Sequence, residues 1–319
     1  MDRHIAYILA LIQNNYGFKE IKPYRQSKFV ISTDTGLKRI HIWPSEAFMK
    51  WHIEWRHRLV CDAFFIDRMY ITQTGNEAAS DGSYWITCHD EVVEEADIKD
   101  VLHDYIKWIG QLLTKSVFPI NDHSNIKVEP SIFNIEREYQ KLTRSANQAP
   151  KLTKLLTKSY PAVVSRTHQA DLRITPYLPF DQVLLTPPMT NLIKLKSVYG
   201  KLFVELGQEE PTIGYSAISN LIKHWYTKLS DEQFHHFIYA LVPYGLFEKE
   251  IFDKITAEMY YPNEWIYAVE SSNEISSQEK EERMIHLFKK RWDLTNEVLT
   301  CMEGFRRKWV EQEYENDDD

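Results

Sequence analysis

The stretch 186–206, TPPMTNLIKLKSVYGKLFVEL, reads as a β-hairpin: LIKLKS, a turn at Val198-Tyr199-Gly200, then KLFVEL. In an antiparallel pair, the residue before the first strand lies across from the end of the second. Asn191 and Glu205 are therefore expected as neighbours at one mouth of the hairpin. An amide and a carboxylate are hard oxygen donors of the kind Mg²⁺ takes. Three other places carry groups that can do chemistry. Lys38 stands in a strand beside a turn, Glu54 on a helix, and His168 with Asp171 in HQADLR (168–173). Each has a plainer alternative. Asn191 and Glu205 can be the polar ends of a hairpin, and Lys38 and Arg39 can be solvated charges. Glu54 can pair with Arg58 one turn on, worth about a few tenths of a kcal/mol.

Metal sites built from histidine or cysteine have little support. His52 and His57 are not spaced i,i+4, His235 and His236 diverge on a helix, and CHDE (88–91) has no second cluster at ligand spacing. No G-x-S-x-G, H-E-x-x-H, G-x-x-x-x-G-K-[ST] or G-x-G-x-x-G is present. Hydrolase, zinc-protease, P-loop and Rossmann readings thus lack a motif.

The elements that must position these groups follow from periodicity. Ile5, Ile8, Leu9 and Ile12 recur at helical spacing and predict a surface helix that ends at Tyr16-Gly17. KFVIST (28–33) and LKRIHIW (37–43) flank Asp-Thr-Gly and predict a hairpin. Pro44, Ser45 and Glu46 open a helix over 44–60, with Phe48, Trp51, Trp55 and Leu59 as its apolar face. RMYITQTG and SYWITCHDEV predict two more strands. Residues 1–92 thus read as helix, hairpin, helix, hairpin: a small α+β unit. A helix over 94–115, with Ile98, Leu102, Ile106, Ile109 and Leu113 on one stripe, opens a mostly helical part that runs to 310. Residues 119–160 are polar and mixed, with one helix expected at 135–145. Four prolines in 175–190 exclude a continuous helix there. Helices are expected at 215–228, 231–242, 247–260, 263–270 and 278–310. The acidic tail 311–319 is expected to lack structure.

Composition bounds the rest. The chain has 319 residues, 43% hydrophobic and 13% aromatic, so it is long and apolar enough for one large domain or two lobes. A net charge of −8 argues against nonspecific binding to nucleic acid or an anionic membrane. Cys61, Cys88 and Cys301 are far apart and odd in number, which predicts neither a disulfide framework nor a structural zinc site and suits a reducing compartment. No stretch reaches the length of a membrane span, and the N-terminus does not read as a signal peptide. A soluble protein made in the cytoplasm is expected.

The order of elements resembles a known family. A helix ending in NNYG, the hairpin KFVISTDTGLKRIHIW, a helix with HIEWRHRL, and then YITQTG…SYWI look like the N-lobe of the aminoglycoside-phosphotransferase-type kinase fold. Within it, the layout resembles the spore-coat kinase-like group (CotS/YutH type). ITAEMYYPNEWIYAVES is similar to that group's helix ending in Tyr-Pro, followed by an aromatic helix. The resemblance implies an α+β, two-lobed protein-kinase-like fold: a small β-rich N-lobe with one helix (1–92) and a larger, mostly helical C-lobe (93–310) carrying the 191–206 hairpin.

It also implies a site. Phosphoryl transfer needs a strand lysine on the phosphates, a helix carboxylate to brace it, an aspartate for the substrate proton, and an Asn and an Asp on Mg²⁺. The fold's catalytic loop reads H-G-D-x-x-x-x-N. Counted back from Asn191, Thr186 occupies the place of the aspartate, and Leu184 and Leu185 fill the His and Gly places. Glu205 stands for the second metal-binding aspartate, with its carboxylate one methylene further out. The rival placement uses Asp171, but its spacing is His-x-x-Asp and Pro176 falls where the Asn belongs. Lys38 is the candidate phosphate-binding lysine, although a count from Gly36 puts the family's lysine nearer His41. Glu54 is its candidate brace. KEIKPYRQSK (19–28) has no glycine, so no Gly-rich phosphate cradle is expected.

The leading expectation is a catalytically degenerate, pseudokinase-type protein, structural or binding in role, in the bacterial endospore coat with other coat proteins as partners. ATP and Mg²⁺ are the ligands the resemblance implies, and the residues leave open whether either binds. One alternative is a small-molecule phosphotransferase with an atypical site, in which Asp171 or Glu205 is the base and Lys38 binds phosphate. Another is a helical adaptor for a protein partner, which predicts a large exposed apolar patch near 259–267.

Overall fold

The computed structural model describes residues 3–25, 29–119, 131–144, 149–178, 182–187 and 194–317. In chain order the elements begin with α1 (Arg3–Tyr16), β1 (Lys22–Arg25), β2 (Val30–Thr33), β3 (Gly36–Trp43), α2 (Glu46–Leu59), β4 (Phe65–Ile66) and β5 (Met69–Tyr70). Then come β6 (Ala79–Ser80), β7 (Trp85–Asp90), α3 (Ile98–Lys115), β8 (Val117–Pro119), α4 (Ser131–Arg144), α5 (Pro150–Ile174) and β9 (Gln182–Thr186). The rest is β10 (Lys196–Val198), β11 (Lys201–Val204), β12 (Thr212–Ile213), α6 (Ser216–Tyr226), α7 (Asp231–Tyr239), α8 (Lys249–Tyr260), α9 (Asn263–Ser272) and α10 (Gln278–Asp317). Two compact units result. One comprises Met1–Ser116 and Leu185–Thr212, the other Val117–Leu184 and Ile213–Asp319.

The first unit is built on an antiparallel sheet in the order β1-β2-β3-β7-β5, with β6 also on β7. Period-two alternation sorts its residues. Ile40 pairs with Cys88 and Ile42 with Ile86, and this face packs under Ile8 and Ile12 of α1. Trp43 of the opposite face packs on Met49 and Ile53 of α2. Ser45 caps α2, its hydroxyl accepting from the Phe48 amide at 3.2 Å. The buried stripe of α2 is Met49, His52, Ile53, Trp55, Arg56 and Leu59. The expected apolar face is thus corrected. Phe48 and Trp51 are only half-buried, while two polar residues face inward: Arg56 pairs with Asp67, and His52 packs against the rings of Trp43, Phe48 and Trp51.

α3 and the 196–204 hairpin fall in this first unit, not beyond the expected boundary at 92. The reason is pairing. β11 lies parallel to β4, with Phe203 opposite Phe65 and Val204 opposite Ile66. The Leu202 amide donates to Asp104 of α3 at 3.0 Å.

In the second unit, α4, α5, α9 and α10 share a core of Leu152, Leu156, Val163, Trp265, Val269 and Phe288. The Trp265 indole donates to the Leu156 carbonyl at 3.1 Å. The large apolar patch expected near 259–267 by the adaptor reading is mostly turned inward: Met259 and Trp265 are 0% exposed, and Tyr267 alone of its large apolar residues is exposed. α5 was not foreseen at this length, and it carries Pro161 in its interior. The acidic tail is also corrected. α10 runs on to Asp317, since nothing between 305 and 317 is a proline or glycine to stop it. Among the described residues, no helix is long and apolar enough to cross a membrane.

Candidate functional site

A hairpin forms at the expected place but is shorter than expected, Lys196–Val198 against Lys201–Val204, with Val198 in the first strand rather than in the turn. Tyr199 and Gly200 both have positive φ, 52° and 74°, which is the two-residue turn that suits right-twisted strands. Glycine takes this conformation freely; Tyr199 takes it with its ring 94% exposed. The register sets Lys196 opposite Phe203 and Val198 opposite Lys201. Glu205 follows directly after β11. Asn191 lies outside the described residues.

Glu205 is fully buried and ringed by cations. Its Oε1 is 2.5 Å from Nη1 of Arg39, and its Oε2 meets Nζ of Lys196. Arg39 comes from β3, where it alternates with Lys38. Its other nitrogen binds Asp67, and Nη1 also approaches Glu91 at 3.4 Å. Lys196 reaches the other oxygen of Glu91 at 3.4 Å. Arg56, pointing inward from α2, holds Asp67 at 3.3 Å. Arg39 and Arg56 both donate to the Leu206 carbonyl, at 3.5 and 3.4 Å. Three carboxylates thus face three cations in the interior of one unit, and the charges cancel. Burial pushes the Asp67 carboxyl above its ordinary value, while the guanidinium groups of Arg56 and Arg39 pull it back.

Three imidazoles line the same face and stay neutral. Burial, then the charges of Arg39 and Arg56, hold His41 well below its ordinary value. Burial and Arg56 push His52 down to about 3. His89 is depressed in the same way, with burial first. Neutral His41 accepts from Nε of Arg39 at 3.0 Å through Nε2. The Thr87 hydroxyl accepts from the Trp43 indole at 2.8 Å and shares a hydrogen bond with Nε2 of His89 at 2.7 Å. CHDE is therefore no metal cluster. Alternation sends Cys88 to the α1 core and Asp90 to Lys38, while Glu91 joins the ionic network and neutral His89 lies beside Asp67 at 3.6 Å.

The other foreseen residues fall as follows. Lys38 and Arg39 are both buried, not solvated, on opposite faces of β3. Lys38 is engaged by Asp90 at 3.1 Å and the Thr35 carbonyl at 2.7 Å, with its ammonium 4.8 Å from the Tyr70 ring centroid. Glu54 lies on the exposed side of α2, and the helix presents His52 and Arg56 to the sheet instead. Thr186 ends β9, is 1% exposed, and its hydroxyl makes no hydrogen bond among the described residues. Asp171 stands near the end of α5 in the second unit.

Whether these residues suit Mg²⁺ is a question of donors. Mg²⁺ takes octahedral oxygen sites and keeps several waters. Both oxygens of Glu205 sit on cations, and no group of three or more His, Cys, Asp or Glu among the described residues is placed to hold a metal. The described residues do not fit the ion.

A small antiparallel-sheet region at the N-terminus and a helical C-terminal part make this the kinase-like aminoglycoside phosphotransferase fold. The solved structures bear this out. An aminoglycoside phosphotransferase from Alicyclobacillus acidocaldarius subsp. acidocaldarius matches with a TM-score of 0.65 at 9% identity, over 94% of this chain and 96% of that one. Spectinomycin phosphotransferase, solved with ADP and spectinomycin, matches with a TM-score of 0.54 at 11% identity, over 93% and 98%. No family model matches the chain, and no curated protein does. At such identities the likeness is one of fold.

Proposed function

We propose that this protein is a catalytically degenerate kinase-fold protein that acts as a structural or binding component. One observation carries the reading. Glu205, the carboxylate at the place of a metal ligand, is enclosed with Arg39, Lys196, Glu91, Asp67 and Arg56 in a charge-balanced, buried network. Phosphoryl transfer needs charges left free for phosphate and metal. Thr186 at the aspartate's place, and an arginine facing inward from α2, point the same way. The bacterial endospore coat as its setting, with other coat proteins as partners, rests on the resemblance of the 255–271 stretch and the N-terminal layout.

The test is a thermal-shift titration of the full chain with ATP, with and without Mg²⁺. A ligand at about 100 times its Kd would stabilise the folded state by about 2.7 kcal/mol. The expected result is no Mg²⁺-dependent rise in Tm at millimolar nucleotide. A Mg²⁺-dependent rise that Asn191→Ala abolishes would overturn the reading and favour a small-molecule phosphotransferase with an atypical site.

A further inference from the structure

The second unit contains a pocket of about 770 Å³ between α6, α9 and α10. Its wall carries Lys223 on α6, Lys228 just beyond that helix, and Lys290 and Arg291 on α10. Four cations line this one pocket, Lys223 half-buried and the other three exposed, in a chain whose net charge is −8. The one acid in the wall, Glu264, is already engaged: its carboxylate is 2.5 Å from Nη1 of Arg166 and nearly fully buried. That arginine is fixed in turn by the Met259 carbonyl at 2.7 Å and the Trp292 ring at 4.2 Å.

Lys223 is the unusual member. It is half-buried, yet no hydrogen bond or ion pair joins it to a described residue. Its ammonium is held below its ordinary value, chiefly by burial, against the opposing pull of Glu264. Glu258 also attracts it; burial raises that carboxyl above its ordinary value, and Lys223 pulls it back. A half-buried cation is costly, and the like charges of Arg166 and Arg291 beside it add to that cost. An anion in the pocket removes both penalties. The geometry is also partly set beforehand. Arg291 lies over the Tyr267 ring, 5.1 Å from its centroid, which limits where its guanidinium can go.

We propose that this pocket binds a phosphate-bearing small molecule, with Lys223 at its base and Lys290 and Arg291 closing on the phosphate. Phosphate is the anion that suits a set of point charges joined by a planar guanidinium fork. Tyr267 offers a flat wall to the remainder of the ligand. The inference is independent of any nucleotide site in the first unit.

The experiment is calorimetric titration of the full chain with inorganic phosphate and with pyrophosphate, at fixed ionic strength, with chloride as the control anion. The expected result is saturable one-site binding of phosphate or pyrophosphate and none of chloride. Lys223→Met and Arg291→Ala should each weaken it at least about tenfold, or 1.4 kcal/mol. Lys151→Ala, an exposed lysine elsewhere in the same unit, should leave it unchanged. Circular dichroism verifies that each variant is folded, and Arg291→Ala carries the test if Lys223→Met is not. Absence of saturable binding overturns the proposal. So does binding that Lys151→Ala weakens as much as the pocket variants do.

Discussion

The two units differ in one respect: the first closes its interior charges into a network, and the second leaves one half-buried cation outside its ion pairs. In the first, Arg39, Arg56 and Lys196 meet Asp67, Glu91 and Glu205, and each charge has a counter-charge within 3.4 Å. In the second, Arg166 and Glu264 satisfy each other, but Lys223 beside them has no such partner. A closed network holds a structure in place and has nothing to offer a ligand. An open cation is a poor contributor to stability and a good place for an anion. A kinase-like fold is usually searched for chemistry at its strand lysine and hairpin carboxylate. Here those positions belong to the closed kind.

The contrast can be broken most directly by cutting the closed network. Glu205→Leu leaves Arg39 and Lys196 buried with too few carboxylates, and is expected to lower the unfolding free energy by about 3–5 kcal/mol. Adding Arg39→Met should cost much less than the sum of the two single changes, which a double-mutant cycle in urea would show. Equal, additive losses would mean that the network is not coupled.

A smaller effect concerns pH. His52 has a folded-state value of about 3 against an ordinary 6.5, so the unfolded chain takes up a proton that the folded one refuses. Its share of stability is therefore present above about pH 6.5 and is lost as pH falls toward 3, at up to about 1.4 kcal/mol per pH unit. His41 and His89 act in the same direction. His52→Phe should flatten the acid limb of the stability curve measured by urea unfolding from pH 7 to pH 4. An unchanged limb would place the acid sensitivity elsewhere.

The smallest effect is the sharpest for the comparison. Lys223→Met removes a charge as near the interior as some of those above, yet no partner is left behind. Its unfolding free energy should move by no more than about 1 kcal/mol, or rise. A loss as large as that of Glu205→Leu would show that Lys223 is paired after all.

Much of the architecture was legible because its signals are local. Apolar spacing placed α1, α3 and the helices from α6 onward, and Tyr199-Gly200 marked the hairpin turn. α5 was missed because lysines and threonines blur its stripe and Pro161 argues against a long helix there. The network was illegible for a different reason. Arg39 stands three residues after a turn glycine and looks solvated, and what buries it comes from positions 67, 91 and 205. No local window contains that information. One signal of the network is nevertheless local. Period two along KRIHIW and CHDE puts Arg39, His41, His89 and Glu91 on one face, and Lys38 and Asp90 on the other.

The division of the first unit into two stretches of sequence also sets a timetable. Met1–Ser116 leaves the ribosome with β4 and the ionic network still awaiting Leu185–Thr212. Val117–Leu184 must be synthesised in between, a delay on the order of ten seconds at ordinary translation rates. Throughout that interval the nascent chain carries an unpaired β4 edge and a half-built cluster of charges. The part of this protein made first is among the last to be finished, and the length of the crossing segment sets how long it waits for the closing strand.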